Sequence, residues 1–336
     1  MNFDKRVYHF IGNNKLIHPG GLVIVGFSGG ADSMALMQVL VSLRHELGIR
    51  LHAAHFNHKI RPLQALRDER FVVQWCRRLN VPLTVGRRTA GRVDHLSEDA
   101  ARQMRFKFFV KLANKLKAQS VALAHTRNDL AETVLMRLMR GSGFYGLRGI
   151  LPQRSIEKVE FIRPLMGVSR PDIEDYLRSK RIPFCTDSTN LQTMYVRNKV
   201  RLKLLPLLAR EYNPQITNVL TDLAQIACED YAFLAQHAQK RFEKSVIISG
   251  RRVKIALKQI GLLHPAIRRL IIRQMADALI HGQATTDSSR YEVAALTFEH
   301  IHAIENLIAH KGPGRVDLPH QVMASKTEKF LELSYA

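Results

Sequence analysis

The sequence predicts an α/β fold: a parallel, five-stranded, doubly wound sheet followed by a second, mainly helical domain. Three observations predict it. Short apolar runs rich in β-branched residues alternate with helical periodicity through the first two hundred residues, the βαβα pattern that builds a parallel sheet with helices on both faces. A Gly-Gly pair sits in the first strand-to-helix turn, Ser28-Gly29-Gly30-Ala31-Asp32-Ser33. Beyond Tyr212-Asn213-Pro214 the pattern becomes mainly helical. A chain of 336 residues has room for two domains, and the change of pattern divides it into 1–212 and 213–336.

The elements follow in order. Leu22-Val23-Ile24-Val25-Gly26-Phe27 is a buried parallel strand. Met34, Leu36, Met37, Leu40, Val41, Leu43 and Leu47 then recur at helical spacing. Residues 51–56 form the second strand, 64–79 a helix and 81–85 the third strand. Ser97 is placed to cap the next helix, with Glu98 and Asp99 in its first turn. Residues 121–124 make the fourth strand and 130–140 another helix. The fifth strand, 161–165, is kept short by Pro164. Ser169 and Asp172 then form a capping box that opens a helix towards Lys180. An amphipathic helix spans 196–211, a long helix 216–239, and His264-Pro265 opens a third through Leu279 with Arg268, Arg269 and Arg273 on its surface. Residues 315–319 and 330–333 read as strands of a small terminal sheet.

The 28–33 turn carries the first chemical signal. Missing side chains let backbone N–H groups approach an anion, and the helix N-terminus adds about half a positive charge there. Ser28 and Ser33 offer hydroxyls, and Asp32 can help hold a magnesium ion bridging phosphates. The turn therefore predicts a polyphosphate site; the plainer alternative is a tight turn with Asp32 or Ser33 as a helix cap. A Walker loop is excluded, because no Lys-Ser or Lys-Thr follows the last glycine. Gly141-Ser142-Gly143-Phe144-Tyr145-Gly146 has dinucleotide-fingerprint spacing but follows a helix instead of a strand, so it is rejected.

Composition narrows the partner class. Fifty-one basic against 29 acidic side chains give a formal charge of +22, which suits a protein that grips a phosphodiester backbone, although a basic surface without a partner is the alternative. Charge breaks every apolar stretch within about 18 residues, so neither a membrane span nor a signal peptide is expected. Cys76, Cys185 and Cys228 lie far apart with no CxxC, which predicts a reducing, cytoplasmic location. His55 and His58 flank Asn57, but neither a cysteine pair nor an HExxH helix accompanies them, so no zinc site is expected.

Five constellations occur in order: the 28–33 turn; His55-Phe56-Asn57-His58-Lys59-Ile60-Arg61; Glu98, Arg102 and Arg105 at helical spacing; His125 with Asp129, Glu132 and Thr133; and Asp187-Ser188-Thr189-Asn190 ahead of Arg197-Asn198-Lys199-Val200-Arg201. Together they resemble the N-type ATP pyrophosphatases, and specifically the bacterial tRNA(Ile)-lysidine synthetases, over residues 20–212. Over the remainder the resemblance rests on the helical region and a Gly-Pro-Gly-Arg tail, and the chain looks like the short form of the family. The resemblance implies an adenine-nucleotide-hydrolase-like sheet. It implies ATP contacts from Ser28, Gly29, Gly30, Asp32, Ser33, His55 and His125, with Asp32 on Mg2+. Asp32, Asp129, Arg105 and Arg197 are the implied catalytic residues, Asp129 and Glu132 the lysine-binding pair. Arg102 and Arg201, with Arg268, Arg269 and Arg273, are assigned to the tRNA. Family members often show two histidines, two aspartates and a glutamine where this chain has His125-Thr126-Arg127-Asn128-Asp129-Leu130, so roles carry to His125 and Asp129 alone.

The implied reaction modifies the wobble cytidine of an isoleucine tRNA with a CAU anticodon. ATP adenylylates the 2-keto oxygen, and the ε-amine of free lysine then displaces AMP at carbon 2. Attack at the α-phosphorus requires the pyrophosphate to be held in line, and Arg102, Arg105, Arg197 and Arg201 can neutralise the charge that develops. Deprotonating lysine at pH 7 costs about 4.6 kcal/mol, which a carboxylate at Asp129 or Glu132 would have to help overcome. The nearest alternative is tRNA thiolation at the same carbon, and a second is an RNA-binding module with a regulatory nucleotide site. Whether the chain forms a homodimer is left open by the sequence.

Overall fold

The computed structural model describes residues 1–58, 62–88, 98–185, 196–281 and 296–335. The expectations on Lys59, Ile60, Arg61, on the Ser97 cap with the side chains of Glu98 and Asp99, and on residues 187–190 lie outside the described residues. The chain divides into two compact units, Met1–Ser142 with Arg148–Ala224, and Gly143–Leu147 with Gln225–Ala336.

The first unit begins with α1 (Phe3–Asn13), β1 (Leu22–Gly26), α2 (Ala31–Leu43), β2 (Arg50–Asn57), α3 (Pro62–Arg78) and β3 (Leu83–Arg87). It continues through α4 (Glu98–Leu116), β4 (Ser120–Ala122) and α5 (Arg127–Met139). After α6 (Phe144–Leu147), which belongs to the second unit, come β5 (Gln153–Ile156), β6 (Val159–Ile162) and α7 (Arg170–Ser179). The sheet order is β3-β2-β1-β4-β6-β5. Five strands are parallel, as expected, and β5 adds an antiparallel edge paired to β6. The β5–β6 turn places Glu157 and Lys158 at positive φ without a glycine, so the usual hairpin signal is absent from the sequence. The strand expected at 161–165 ends at Ile162, because Pro164 opens a 3-10 turn instead.

Strand alternation sends β1 side chains to both faces. Val23 and Val25 pack with Leu36, Leu40, Val7, Ile173 and Leu177, whereas Ile24 packs with Phe109, Val121 and Phe161. Val23, Ile24 and Val25 are fully buried, which explains their continuous apolar run. The chain moves outward from β1 through β2 to β3 and then returns to β4 on the other side of β1. A crevice for ligand therefore opens at the carboxyl ends of β1 and β4.

Residues 196–211 are helical throughout but irregular: α8 (Val196–Lys199) and α9 (Leu205–Glu211) flank a π-turn at Val200–Leu204. Pro206 has no N–H and would crowd the carbonyl four residues back in a regular helix. The π-turn, in which the Leu205 N–H bonds to the Val200 carbonyl, relieves this.

Helix α10 (Ile216–Ser245) carries the chain into the second unit, which continues with β7 (Val246–Ser249), β8 (Arg252–Ala256), α11 (Leu257–Gly261), α12 (Pro265–His281), α13 (Phe298–Ala309), β9 (Gly314–Leu318), β10 (Val322–Lys326) and β11 (Phe330–Tyr335). The expected terminal strands are part of a five-stranded antiparallel sheet, β7-β8-β11-β10-β9. Its Val253, Ile255, Ala324, Leu331 and Leu333 pack with Ile271, Ile272 and Met275 of α12 and with Ile301 and Ile304 of α13. No helix among the described residues is long and apolar enough to cross a membrane.

One buried group opposes the second unit's stability. Asp277 is 2% exposed, and neither carboxyl oxygen has a hydrogen-bond partner. Burial pushes its carboxyl up to about 7 against the pull of Arg273. The fold therefore favours the protonated acid, so stability falls as pH rises from about 4 to about 7 and is level above that. Asp277→Asn should be more stable than the parent protein by about 1–3 kcal/mol at pH 8, with no gain near pH 4. Thermal melts at the two pH values measure the difference.

Candidate active site

The loop after β1 ties its own N–H groups to serine hydroxyls and leaves the first turn of α2 without a side-chain cap. Gly29 has φ +87°, and a Cβ there would lie 3.3 Å from Phe71 and 3.4 Å from Val72, so this position needs glycine for both backbone and space. Gly30 is the N-cap of α2 and provides no side-chain cap, and the helix's hydrogen bonding begins with the Met34 N–H donating to the Gly30 carbonyl at 2.9 Å. The Gly30 N–H donates to Ser28 Oγ at 3.4 Å, while the Ala31, Asp32 and Ser33 N–H groups precede the first i→i−4 bond and so have no acceptor four residues back. Asp32 and Ser33 are not caps. Ser33 is buried and its Oγ works within the loop, accepting from the Ser28 and Gly29 N–H groups at 3.2 and 3.1 Å and donating to the Gly30 carbonyl at 2.9 Å. Ser28 is exposed and lies 3.0 Å from Ser33 Oγ. Cys185 pins the loop from outside, its N–H donating to the Gly29 carbonyl at 2.9 Å.

At the end of β4, Thr126 caps α5 and Asp129 closes a capping box with it; Asp129 Oδ2 accepts from the Thr126 N–H at 2.8 Å and from its hydroxyl at 2.9 Å. Asp129 Oδ1 accepts from Arg197 Nη2 at 3.0 Å and from Arg201 Nη2 at 2.9 Å. One helical turn on, Glu132 is 1% exposed and accepts from Arg197 Nε at 3.0 Å and Arg201 Nε at 2.6 Å. Burial opposes ionisation of Asp129, but Arg197, the Thr126 N–H and Arg201 outweigh it and hold the carboxyl below its usual range. Two carboxylates and two guanidiniums form a cluster of zero net charge.

This cluster lies within electrostatic reach of the loop. Burial pushes the Asp32 carboxyl up to about 6, and Asp129 adds to that push against the pull of Arg170 and Arg201. Arg170, at the start of α7, donates Nη1 to both Asp32 oxygens at 2.7 Å. His125 sits beside Asp129, Arg163, Arg102 and Arg197; burial and Arg163 push it down to about 3, so its ring is neutral at pH 7, and its Nδ1 is buried with no hydrogen-bond partner. His55 is buried, with Nδ1 2.9 Å from the Phe27 carbonyl immediately before the loop. Arg105 faces His58, which burial and that arginine push down to about 4. Arg102 stacks its guanidinium 5.4 Å from the Phe106 ring.

The structure thus brings together Ser28, Gly29, Gly30, Asp32, Ser33, His125, Asp129, Glu132, Arg197 and Arg201, with Arg102 and Arg105 nearby. The second unit's candidate arginines have carboxylate or carbonyl partners of their own. Arg268 and Arg269 both pair with Glu305, at 3.2 and 3.0 Å. Arg273 is only partly exposed: it donates to the Leu296 carbonyl at 2.7 Å, and burial lowers its basicity beside Tyr231 and Asp277. Sequence reasoning missed Arg170 and Arg163. The capping box at Ser169 located the α7 N-terminus, but its partner Asp32 lies 138 residues away.

These residues suit a nucleotide with magnesium. The unpartnered His125 Nδ1 and the uncapped N-terminus of α2 are free for ligand atoms. Asp32 offers one carboxylate, and among the described residues no group of three or more His, Cys, Asp or Glu is placed to hold a metal. Such a donor set fits Mg2+, which takes one or two carboxylates and draws other ligands from phosphates and water.

Two outcomes follow from the geometry. Gly29→Ala should cost about 1–2 kcal/mol in urea melts, since it forces a side chain into a left-handed conformation. Glu132→Ala should cost about 2–3 kcal/mol, less than for a fully buried pair because Arg197 and Arg201 are partly exposed.

Comparison with known proteins agrees with this architecture. The family model described as a PP-loop domain, a nucleotide-binding domain, matches residues 1–208. A tRNA(Ile)-lysidine synthase of Clostridium perfringens is 37% identical over 80% of this chain and 57% of its own length. The one from Geobacter sulfurreducens is 34% identical over 99% of this chain and 68% of its own. The chain thus spans little more than half the length of the former and about two thirds of the latter. Among solved structures, the U34-tRNA thiolase NcsA of Methanococcus maripaludis, described with its [4Fe-4S] cluster, superposes with a TM-score of 0.52 at 15% identity, covering 66% of this chain and 77% of its own, a likeness of fold. With the loop, the strand order and the basic and acidic residues at the strand ends all in place, the chain belongs to the tRNA(Ile)-lysidine synthase family of PP-loop proteins.

Proposed function

We propose that the protein joins free L-lysine to carbon 2 of the wobble cytidine of an isoleucine tRNA with a CAU anticodon, using ATP and releasing AMP and pyrophosphate. The observation that carries this reading is an anion-binding loop within electrostatic reach of a buried carboxylate pair: a site for a triphosphate beside a site for an amine. The family's name and the +22 charge support tRNA as the acceptor.

The cytidine 2-keto oxygen attacks the α-phosphorus, the bond to the β-phosphate oxygen breaks, and pyrophosphate leaves. The lysine ε-amine then attacks carbon 2, loses a proton, and the carbon–oxygen bond breaks to expel AMP. The free N–H groups at the start of α2 hold phosphate oxygens, and Gly29 and Gly30 let them come close. Asp32 would hold Mg2+, which supplies positive charge against the leaving pyrophosphate. The neutral ring of His125 offers its free nitrogen to the nucleotide without adding charge.

Asp129 and Glu132 are the proposed lysine ligands, but the two guanidiniums neutralise both of them. An ammonium must therefore compete with Arg197 and Arg201 unless a new anion draws these away. The nucleotide's phosphates are that anion. The two arginines then neutralise charge on the transferring group while the freed carboxylates aim the amine. A carboxylate alone favours the ammonium over the amine, so excluding water as tRNA docks must help the proton leave.

Thiolation is the competing reading, and the cysteines oppose it. Burial pushes Cys76 up to about 12, and burial with Asp68 pushes Cys185 up to about 11, so both are held as poorly nucleophilic thiols.

Mass spectrometry of unmodified isoleucine tRNA after incubation with protein, ATP and lysine should show lysine attached at the wobble cytidine; tight tRNA binding with no AMP formed would favour the binding-module alternative. Asp32→Ala should cut pyrophosphate release at least about 100-fold while tRNA affinity stays nearly unchanged. Replacing Arg268 and Arg269 by alanine should lower the slope of log affinity against log salt by up to about 2. An unchanged slope removes that helix from the RNA surface.

A further inference from the structure

Arg170 is a strongly held cation at this site whose partners tie it to the phosphate loop. Its backbone N–H donates to Asn128 Oδ1 at 2.9 Å, its Nε to Glu174 at 2.9 Å, and its Nη1 to both Asp32 oxygens at 2.7 Å. The first bond ties α7 to α5, the second fixes the guanidinium plane, and the third sets it on the carboxylate of the phosphate loop. Arg127 reinforces the same junction, its N–H donating to the Val168 carbonyl at 3.0 Å and its Nη2 to the Gly167 carbonyl at 2.7 Å. A side chain held at both Nε and Nη1, on a backbone itself tied to α5, is pre-organised, and a guanidinium that meets a carboxylate this way can also meet a phosphate.

The geometry points to Arg170 as a positioning residue that occupies the Asp32 carboxylate until nucleotide arrives, then transfers to the nucleotide's outer phosphates and releases Asp32 to the metal. The inference rests on the ATP reading of the loop. Its physical basis is competition: Arg170 Nη1 takes both oxygens of the only carboxylate the loop offers, so a divalent cation at Asp32 must displace it. A phosphate at the N-terminus of α2 provides a second anion for the displaced guanidinium, while Glu174 keeps hold of Nε. Metal and nucleotide therefore favour each other's binding through Arg170, and neither step needs a change of fold. A purely structural strut between the loop and α7 would act differently, since its loss would weaken every ligand of the loop together.

The test measures two bindings that the inference moves in opposite directions. Mn2+ binding without nucleotide is followed by electron paramagnetic resonance, and α,β-methylene-ATP binding in EDTA by calorimetry. Compared with the parent protein, Arg170→Ala should bind Mn2+ several-fold more tightly and metal-free nucleotide about tenfold more weakly. Arg170→Lys keeps the charge but loses the fork, and should fall between the two in both measurements. Arg178→Ala removes an exposed arginine of the same helix, paired with Asp175, and should change neither. Parallel weakening of both ligands in Arg170→Ala, with a similar loss in Arg170→Lys, would overturn the inference and leave a strut. If the parent protein binds no α,β-methylene-ATP even with Mg2+, the ATP reading fails and the inference with it.

Discussion

Asp129 and Glu132 are buried next to a loop shaped for an anion, and the arrangement is tenable only because Arg197 and Arg201 meet them there. A buried carboxylate without a partner is strongly disfavoured, and two in one helical turn repel each other as well. The paired guanidiniums remove both penalties and join α5, which follows β4, to the helical stretch 196–211. The π-turn forced by Pro206 lies in this stretch and begins at Val200, between the two arginines. Local backbone chemistry, buried charge and the position of the site are thus one problem with one solution.

The same pairing gives the resting site its character. Although it contains three carboxylates, it is not acidic: Asp32 is covered by Arg170, and the other two by Arg197 and Arg201. Each pair consists of a group suited to a cationic ligand and a group suited to a phosphate. Binding either ligand alone must break an ion pair without replacing both halves. Binding both replaces both. This gives a physical reason for the two ligands to bind cooperatively, with reciprocal effects on affinity.

What could be read from the sequence follows interaction range. The β1 strand, the glycine turn and the Ser169–Asp172 box depend on neighbours within a few residues, and all were legible. The N-terminal helix was also legible in principle, since Phe3, Val7 and Ile11 repeat at four-residue spacing. The β5–β6 hairpin was not, because Glu157 and Lys158 adopt positive φ without the usual glycine or asparagine. The residues of the charge cluster could be listed, but their pairing joins positions 65 to 72 apart, and the Arg170–Asp32 pair spans 138. Such contacts depend on strand order and not on local pattern. Arg273 illustrates the converse: a basic residue on an amphipathic helix reads as surface until an inward carboxylate, Asp277, appears one turn on.

In the proposed lysine site, Arg197 and Arg201 hold the carboxylate pair until nucleotide phosphates draw them away. Calorimetric titration of L-lysine into the protein, with and without α,β-methylene-ATP and Mg2+, tests it most directly. Lysine should bind weakly to the nucleotide-free protein and at least about tenfold more tightly with the analogue present. Equal lysine affinity in both conditions, or lysine binding unchanged by Glu132→Gln, would contradict it.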